Sequence, residues 1–145
     1  MKRKNWVRLD NASNIFLAAM TDFDTKVFRL SAAMEESVDP KLLQEALEHT
    51  LEAYPLYRSV LRRGVFWYYL EENNKEPKIE EERNYPCKYI NPRRNRGYLF
   101  KVTYFKNKVN IDIFHSLTDG NGGTTFFREI IYTYLEMCYS DDLKP

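Results

Sequence analysis

The chain encodes an α+β fold, a two-layer sandwich with helices on one face of a mostly antiparallel or mixed sheet. In the run Lys108 to Phe114, Val109, Ile111 and Ile113 alternate with Asn110, Asp112 and Phe114. That is the period-two signature of a strand with one face buried. Further on, Phe127, Ile130, Ile131, Tyr134, Leu135 and Cys138 fall three and four apart, the stripe of a helix that begins soon after the glycines and packs along one side. The whole chain reads helix, strand, helix, several strands, helix, so the strands are grouped and do not alternate as βαβ units.

Taken in order, Asn11 or Ser13 caps a short first helix through Met20, with Ile15, Phe16, Ala19 and Met20 inward. Val27 to Met34 reads as a strand entering the core. Asp39-Pro40 is a cap followed by a first-turn proline, which gives up no helical hydrogen bond there. Leu43, Ala46, Leu47, Thr50, Leu51 and Tyr54 keep helical spacing until Pro55 stops the helix. Tyr57 to Arg63 and Val65 to Glu71 flank Gly64 as a hairpin. From Glu72 to Asn84 charges dominate and no apolar stripe is present, so a solvated, poorly ordered loop is expected. Pro86 to Ile90 reads as a short edge strand. Tyr98 to Phe105 and Lys108 to Phe114 form a second hairpin around Lys106-Asn107, and the last helix fades near Ser140 into a tail.

Composition removes several classes of function. A chain of 145 residues is one domain, and at this size about 70% of the unfolded surface is buried. With 22 basic and 21 acidic residues the net charge is +1, so no global field calls for nucleic acid or an anionic membrane. No segment approaches the apolar length of a membrane span, and the IFLAAM run is too short and too late for a leader. Cys87 and Cys138 stand apart from any CxxC or metal spacing, which fits reduced thiols in the cytoplasm.

Chemistry concentrates in FHSLTDGNGG, Phe114 to Gly123. His115 continues the parity of the valine and isoleucines, so it emerges on the inward face as the strand ends, half shielded from water. An imidazole there can act as a general base toward a hydroxyl, thiol or amine. The same position also suits a His that only hydrogen-bonds a loop carbonyl. Other chemistries fit poorly. Counted from Asp119 as an EF-hand loop, position twelve is Ile130 where a bidentate Glu is required. The glycines make neither a Walker loop nor GxGxxG, Ser116 lacks a GxSxG elbow, and His49 lies on the polar side of its helix. The arginines of NPRRNRG, Asn91 to Gly97, suit either a solvated loop or a grip on a phosphate such as that of coenzyme A.

HSLTDG, residues 115–120, resembles the HxxxDG motif of the coenzyme A-dependent acyltransferase superfamily. That superfamily includes chloramphenicol acetyltransferase, alcohol acetyltransferases and the condensation domains of peptide synthetases. The resemblance implies that His115 is the catalytic base, that Asp119 points away from substrate, pairs with an Arg and fixes the loop, and that Gly120 leaves room for substrate. EAYPLYRSVL, Glu52 to Leu61, is similar to the segment that supplies the partner of the motif Asp and puts Arg58 in that place. A planar guanidinium fork suits that duty. Phe114 stands where many condensation domains carry a second His, which favours the single-His acetyltransferases.

The resemblance covers essentially the whole chain but only the first part of a typical member, and no DFGWG-type string of the second lobe occurs. It implies that residues 1–145 are a single domain, the His-bearing N-terminal lobe of a two-lobed enzyme whose second lobe is absent through truncation or splitting. The implied reaction moves an acyl group, most simply acetyl, from a coenzyme A thioester to an alcohol or amine acceptor, without a metal. The lobe alone is expected to be inactive. The alternative is a non-catalytic binding or assembly module that keeps the fold and self-associates through the face a second lobe would cover.

Overall fold

The structure, a computed structural model, describes residues 6–8, 26–63, 65, 68–83, 86–88, 90, 95–118 and 120–140. The helix expected over Asn11 to Met20 lies outside these. The elements are β1 (Trp6–Arg8), β2 (Val27–Ala33), α1 (Pro40–Ala53), a 3-10 turn (Pro55–Arg58), β3 (Ser59–Arg63), β4 (Tyr68–Glu72), β5 (Glu80–Glu81), β6 (Phe100–Phe105), β7 (Lys108–Phe114) and α2 (Gly120–Cys138). They form an α+β fold with two sheets. One is a four-stranded sheet of order β2-β7-β6-β5, antiparallel except for the β5 and β6 pair, and the other a small antiparallel sheet of order β1-β4-β3.

Helix α1 starts for a local reason. The Asp39 carboxylate accepts from the amides of Lys41 and Leu42 at 3.0 and 3.3 Å, and Pro40 occupies the first turn. Such a cap is worth about 1 kcal/mol. Leu43, Ala46, Leu47, Thr50 and Leu51 of α1 are buried as their spacing predicts. The apolar ones among them share one core with Phe126, Phe127 and Ile130 of α2 and with Phe100, Val102, Val109, Ile111 and Ile113 of the sheet. The buried stripe of α2 is Gly123, Phe126, Phe127, Ile130 and Tyr134, whereas Leu135 and Cys138 are exposed. It runs further toward the N-terminus than expected because the helix begins at Gly120 and takes the glycines into its first turns.

Burial pushes the Tyr134 phenol from 10.0 up to about 12, and its oxygen accepts the Asp39 amide at 2.9 Å. A raised folded pKa means the stabilisation is complete below the ordinary value and is lost as pH climbs through the raised one. Stability should therefore fall between about pH 10 and about pH 12. Denaturant titrations at the two ends measure it, and Tyr134→Phe should flatten the dependence.

Several expectations are corrected. Residues from Val109 to Phe114 are all buried, so in β7 the alternation is apolar against polar and not buried against exposed. The polar face is covered by an ion network. The Arg29 guanidinium donates to Asp112 Oδ1 and Oδ2 at 2.7 and 2.9 Å and also to Glu82. Asn110 accepts from Ser31 at 2.7 Å and donates to Glu82 at 3.1 Å. The Asp112 bond, with help from Glu82, raises the Arg29 pKa against the opposing effect of burial.

Glu82 belongs to the stretch expected to be a loose loop, and that stretch is tied down. The buried Asn73 donates its amide to the Arg58 carbonyl at 2.6 Å and its side chain to the Arg96 carbonyl at 2.7 Å. The Gln44 side chain donates to the Pro77 carbonyl at 2.6 Å and accepts the Ile79 amide at 2.9 Å. Glu80 and Glu81 then pair in parallel with Thr103 and Tyr104, so β5 takes the edge position assigned to Pro86 to Ile90. Pro86 and Cys87 form a turn, with Cys87 at φ 57°.

In the first hairpin the strands are β3 and β4, and β3 starts later than expected because Pro55 opens a 3-10 turn that carries Tyr57 and Arg58, while residues 66 and 67 lie outside the described set. The second hairpin turns at Lys106-Asn107 as expected, with Lys106 at φ 54°, though β6 begins at Phe100 and not at Tyr98. That turn holds the exit of β2, since Met34 donates to the Asn107 carbonyl at 2.7 Å and Val38 to the Lys106 carbonyl at 2.8 Å.

Candidate active site

Strand β7 delivers His115 to the lip between the sheet and α2. The Phe114 amide donates to the Leu99 carbonyl at 2.9 Å and the His115 amide to the Lys26 carbonyl at 2.8 Å, so the strand is gripped on both sides at its last residues. The Leu117 amide then returns to the Phe114 carbonyl at 2.9 Å and closes a turn in which Ser116 and Leu117 are buried. His115 itself is half-buried. Its ring packs against Phe28 with centroids 4.6 Å apart and planes at 43°. Phe28 registers opposite Ile113 in the β2 and β7 pair, so the imidazole sits on the helix side of the sheet as its parity predicts.

The remaining motif residues are placed as follows. Gly120 is exposed at the first position of α2, and a Cβ there would meet nothing within 4 Å. Among the described residues no packing requires glycine at that point. Asp119 lies outside the described residues. Arg58 ends the 3-10 turn and its guanidinium meets Glu76 at 3.3 Å. The neighbouring Tyr57 stacks on Phe126 of α2 with ring centroids 3.8 Å apart and planes at 15°. The Arg58 segment thus packs against the helix that follows Asp119.

The NPRRNRG arginines are described only in part, since residues 91–94 lie outside the described set. Arg96, at φ 56°, donates to the Glu76 carbonyl at 3.2 Å, and Asn95 donates to the carbonyls of Tyr98 and Phe100 at 2.9 and 2.7 Å. Gly97 is at φ 88° and a Cβ there would lie 2.5 Å from Val60 Cγ1, so only glycine fits the turn. Among the described residues the segment is a latched turn, with Arg96 engaged by a backbone carbonyl. Burial raises the pKa of the adjoining Tyr98 phenol, which donates to the Lys75 carbonyl at 2.6 Å.

Phe28, Gly123 and the Arg29, Asp112 and Glu82 network are the parts near the site that spacing did not single out. Phe28 and Arg29 sit side by side on β2, pointing to opposite faces. Only the strand register shows that one faces His115 and the other Asp112. Among the described residues no three His, Cys, Asp or Glu side chains gather as a metal would need, and no helix is long and apolar enough to cross a membrane.

No family model and no curated protein matches the sequence. Solved structures do. A variant of the starter condensation domain of rhizomide synthetase, in complex with C8-CoA, is similar at TM-score 0.73 and 14% identity, over 94% of this chain and 37% of that one. The epimerization domain from the third module of tyrocidine synthetase B is similar at TM-score 0.70 and 16% identity, over 94% and 35%. Polyketide synthase associated protein 5 from Mycobacterium tuberculosis gives TM-score 0.62 and 16% identity, over 99% and 35%. The chain spans little more than a third of the length of these structures. Strand, half-shielded imidazole, turn and helix follow one another here in a fold similar to one lobe of these condensation and epimerization domains.

Proposed function

We propose that this chain is the His-bearing lobe of an acyltransferase that moves an acyl group, most simply acetyl, from coenzyme A to an alcohol or amine. The observation that carries this reading is the placement of His115. Its ring is lodged on Phe28 and half shielded at the end of a buried strand, in a fold that a neighbour adopts with C8-CoA bound. An imidazole so placed removes the acceptor proton as the oxygen or nitrogen attacks the thioester carbonyl. The tetrahedral intermediate then collapses, the C–S bond breaks, and the proton held by the imidazolium passes to the departing coenzyme A thiolate.

Arg58 and Asp119 would hold the loop, and Gly120 would leave space beside the base. A second lobe would complete the binding tunnel and supply the donors that stabilise the oxyanion, so the lobe alone should not turn over. The reading is tested by release of free thiol from acetyl-CoA by the full-length protein, with and without an acceptor, against the same protein lacking the imidazole. No acceptor-dependent thiol release would reject it.

Gly120 gives an independent check. Because a Cβ there meets nothing within 4 Å, Gly120→Ala should leave the melting temperature unchanged or slightly raised. If substrate occupies that space, KM for the acceptor rises or turnover falls in the same variant. A loss of activity without a loss of stability is the expected result.

A second reading, a binding or assembly module, draws on the exposed Tyr132, Leu135 and Tyr139 along the outer side of α2 and just past its end, at 62%, 37% and 37% exposure. Those three side chains are an apolar strip suited to self-association. Sedimentation of the 145-residue chain separates the two readings. A monomer that becomes active only with a second lobe favours the enzyme, and a stable oligomer without thioester cleavage favours the module.

A further inference from the structure

The Phe28 ring connects His115 to the helix that follows it. On one side it packs against the imidazole at 4.6 Å. The same ring abuts Gly123, where a Cβ would come within 2.9 Å of Phe28 Cζ, 3.0 Å of Phe28 Cε2 and 3.1 Å of Ile113 Cδ1. Gly123 is buried inside α2. An added methyl there would meet the far end of a strand-borne ring and a core isoleucine, so the Phe28 ring must shift to admit it. A mid-helix glycine costs about 1 kcal/mol against alanine, and the close approach of the Phe28 ring accounts for its presence.

We infer that Phe28 is a positioning residue for His115, and that Gly123 is glycine so that the Phe28 ring can lie where it sets the plane of the imidazole. The chain of contact runs from the Gly123 backbone to the Phe28 edge and from the Phe28 ring to the His115 ring. Displacing the ring at either end re-aims the imidazole. The catalytic consequence rests on the proposed role of His115 as base, whereas the positioning itself does not.

The test uses the 145-residue chain, in which His49 on the exposed face of α1 is a built-in control. Imidazole proton resonances and the rate of carbethoxylation by diethyl pyrocarbonate are followed for both histidines. Phe28→Leu removes the ring but keeps an apolar side chain of similar bulk. His115 resonances should lose their ring-current displacement and His115 carbethoxylation should rise several-fold, with His49 unchanged. Phe28→Tyr adds a hydroxyl on Cζ, the atom nearest Gly123, and should therefore shift the His115 resonances as well, again with His49 unchanged. Gly123→Ala should move His115 in the same experiments without altering either ring, and if that variant fails to fold, the Phe28 pair still decides. His115 resonances and reactivity that are the same in Phe28→Leu as in the parent chain would overturn the inference.

In the full-length protein Phe28→Leu should lower kcat by roughly tenfold to a hundredfold, the scale of a misaimed catalytic group, with KM little changed. Loss of the spectroscopic effect with His115 still essential would reject positioning and keep the base. A retained spectroscopic effect with His115 dispensable would reject the base and keep positioning.

Discussion

With His115 as the proposed base, His115→Ala is expected to lower the proposed acyl transfer in the full-length protein by about 10² to 10⁴, the usual worth of a general base. The loss should appear in kcat, since the imidazole acts on a proton that moves only as the bond forms, and KM for the thioester should change little. The fold should survive, because the main-chain grip on this residue, its amide on the Lys26 carbonyl at 2.8 Å, is retained in alanine. Circular dichroism of the variant checks this. His49→Ala, on the exposed face of α1, should be silent in the same assay. An undiminished rate in His115→Ala would remove the assignment, whatever the fold resembles.

The second large effect concerns stability. Asp112→Ala should destabilise the chain by about 3 kcal/mol, because it strands a largely buried guanidinium from its bidentate partner. The side chains of Arg29 and Asp112 are only 12% and 8% exposed, so water cannot take over the lost bonds. Glu82 still contacts Arg29, which keeps the loss from being larger. The double variant Arg29→Met with Asp112→Leu should recover part of the stability, since the apolar pair needs no partner while Glu82 keeps its bond from Asn110 but loses Arg29. Urea denaturation of the three proteins measures the series. A single variant as stable as the parent would mean that the guanidinium finds water after all.

Which features could be read beforehand follows from the range of the forces that fix them. Asp39 and Pro40 announce α1 because capping is a contract between neighbours. The alternation of β7 and the Lys106-Asn107 turn are equally local, and together they place His115 on the helix side of the sheet. Burial of Asn110 and Asp112 was not legible, because it depends on Glu82 folding back from a stretch whose charges look solvated. The hold on residues 73–79 was hidden for a similar reason. It is made by side-chain amides of Asn73 and Gln44, residues that carry no periodic signal. The partnership of Phe28 with Gly123 needs both the strand register and the depth at which α2 sits, and spacing reports neither. Arg58 illustrates the limit of analogy. It meets Glu76, and its pairing with Asp119, which lies outside the described residues, is a proposal.

Gln44 has a consequence of its own. One carboxamide on α1 receives the amide of Ile79 and gives a proton to the carbonyl of Pro77, so it reads the chain as a neighbouring β-residue would. The sheet edge is thereby fastened to a helix by a single surrogate peptide group. Fraying at that turn of α1 frees the approach to β5 at residues 77–79, and hydrogen exchange at Ile79 becomes a gauge of an event 35 positions away in sequence.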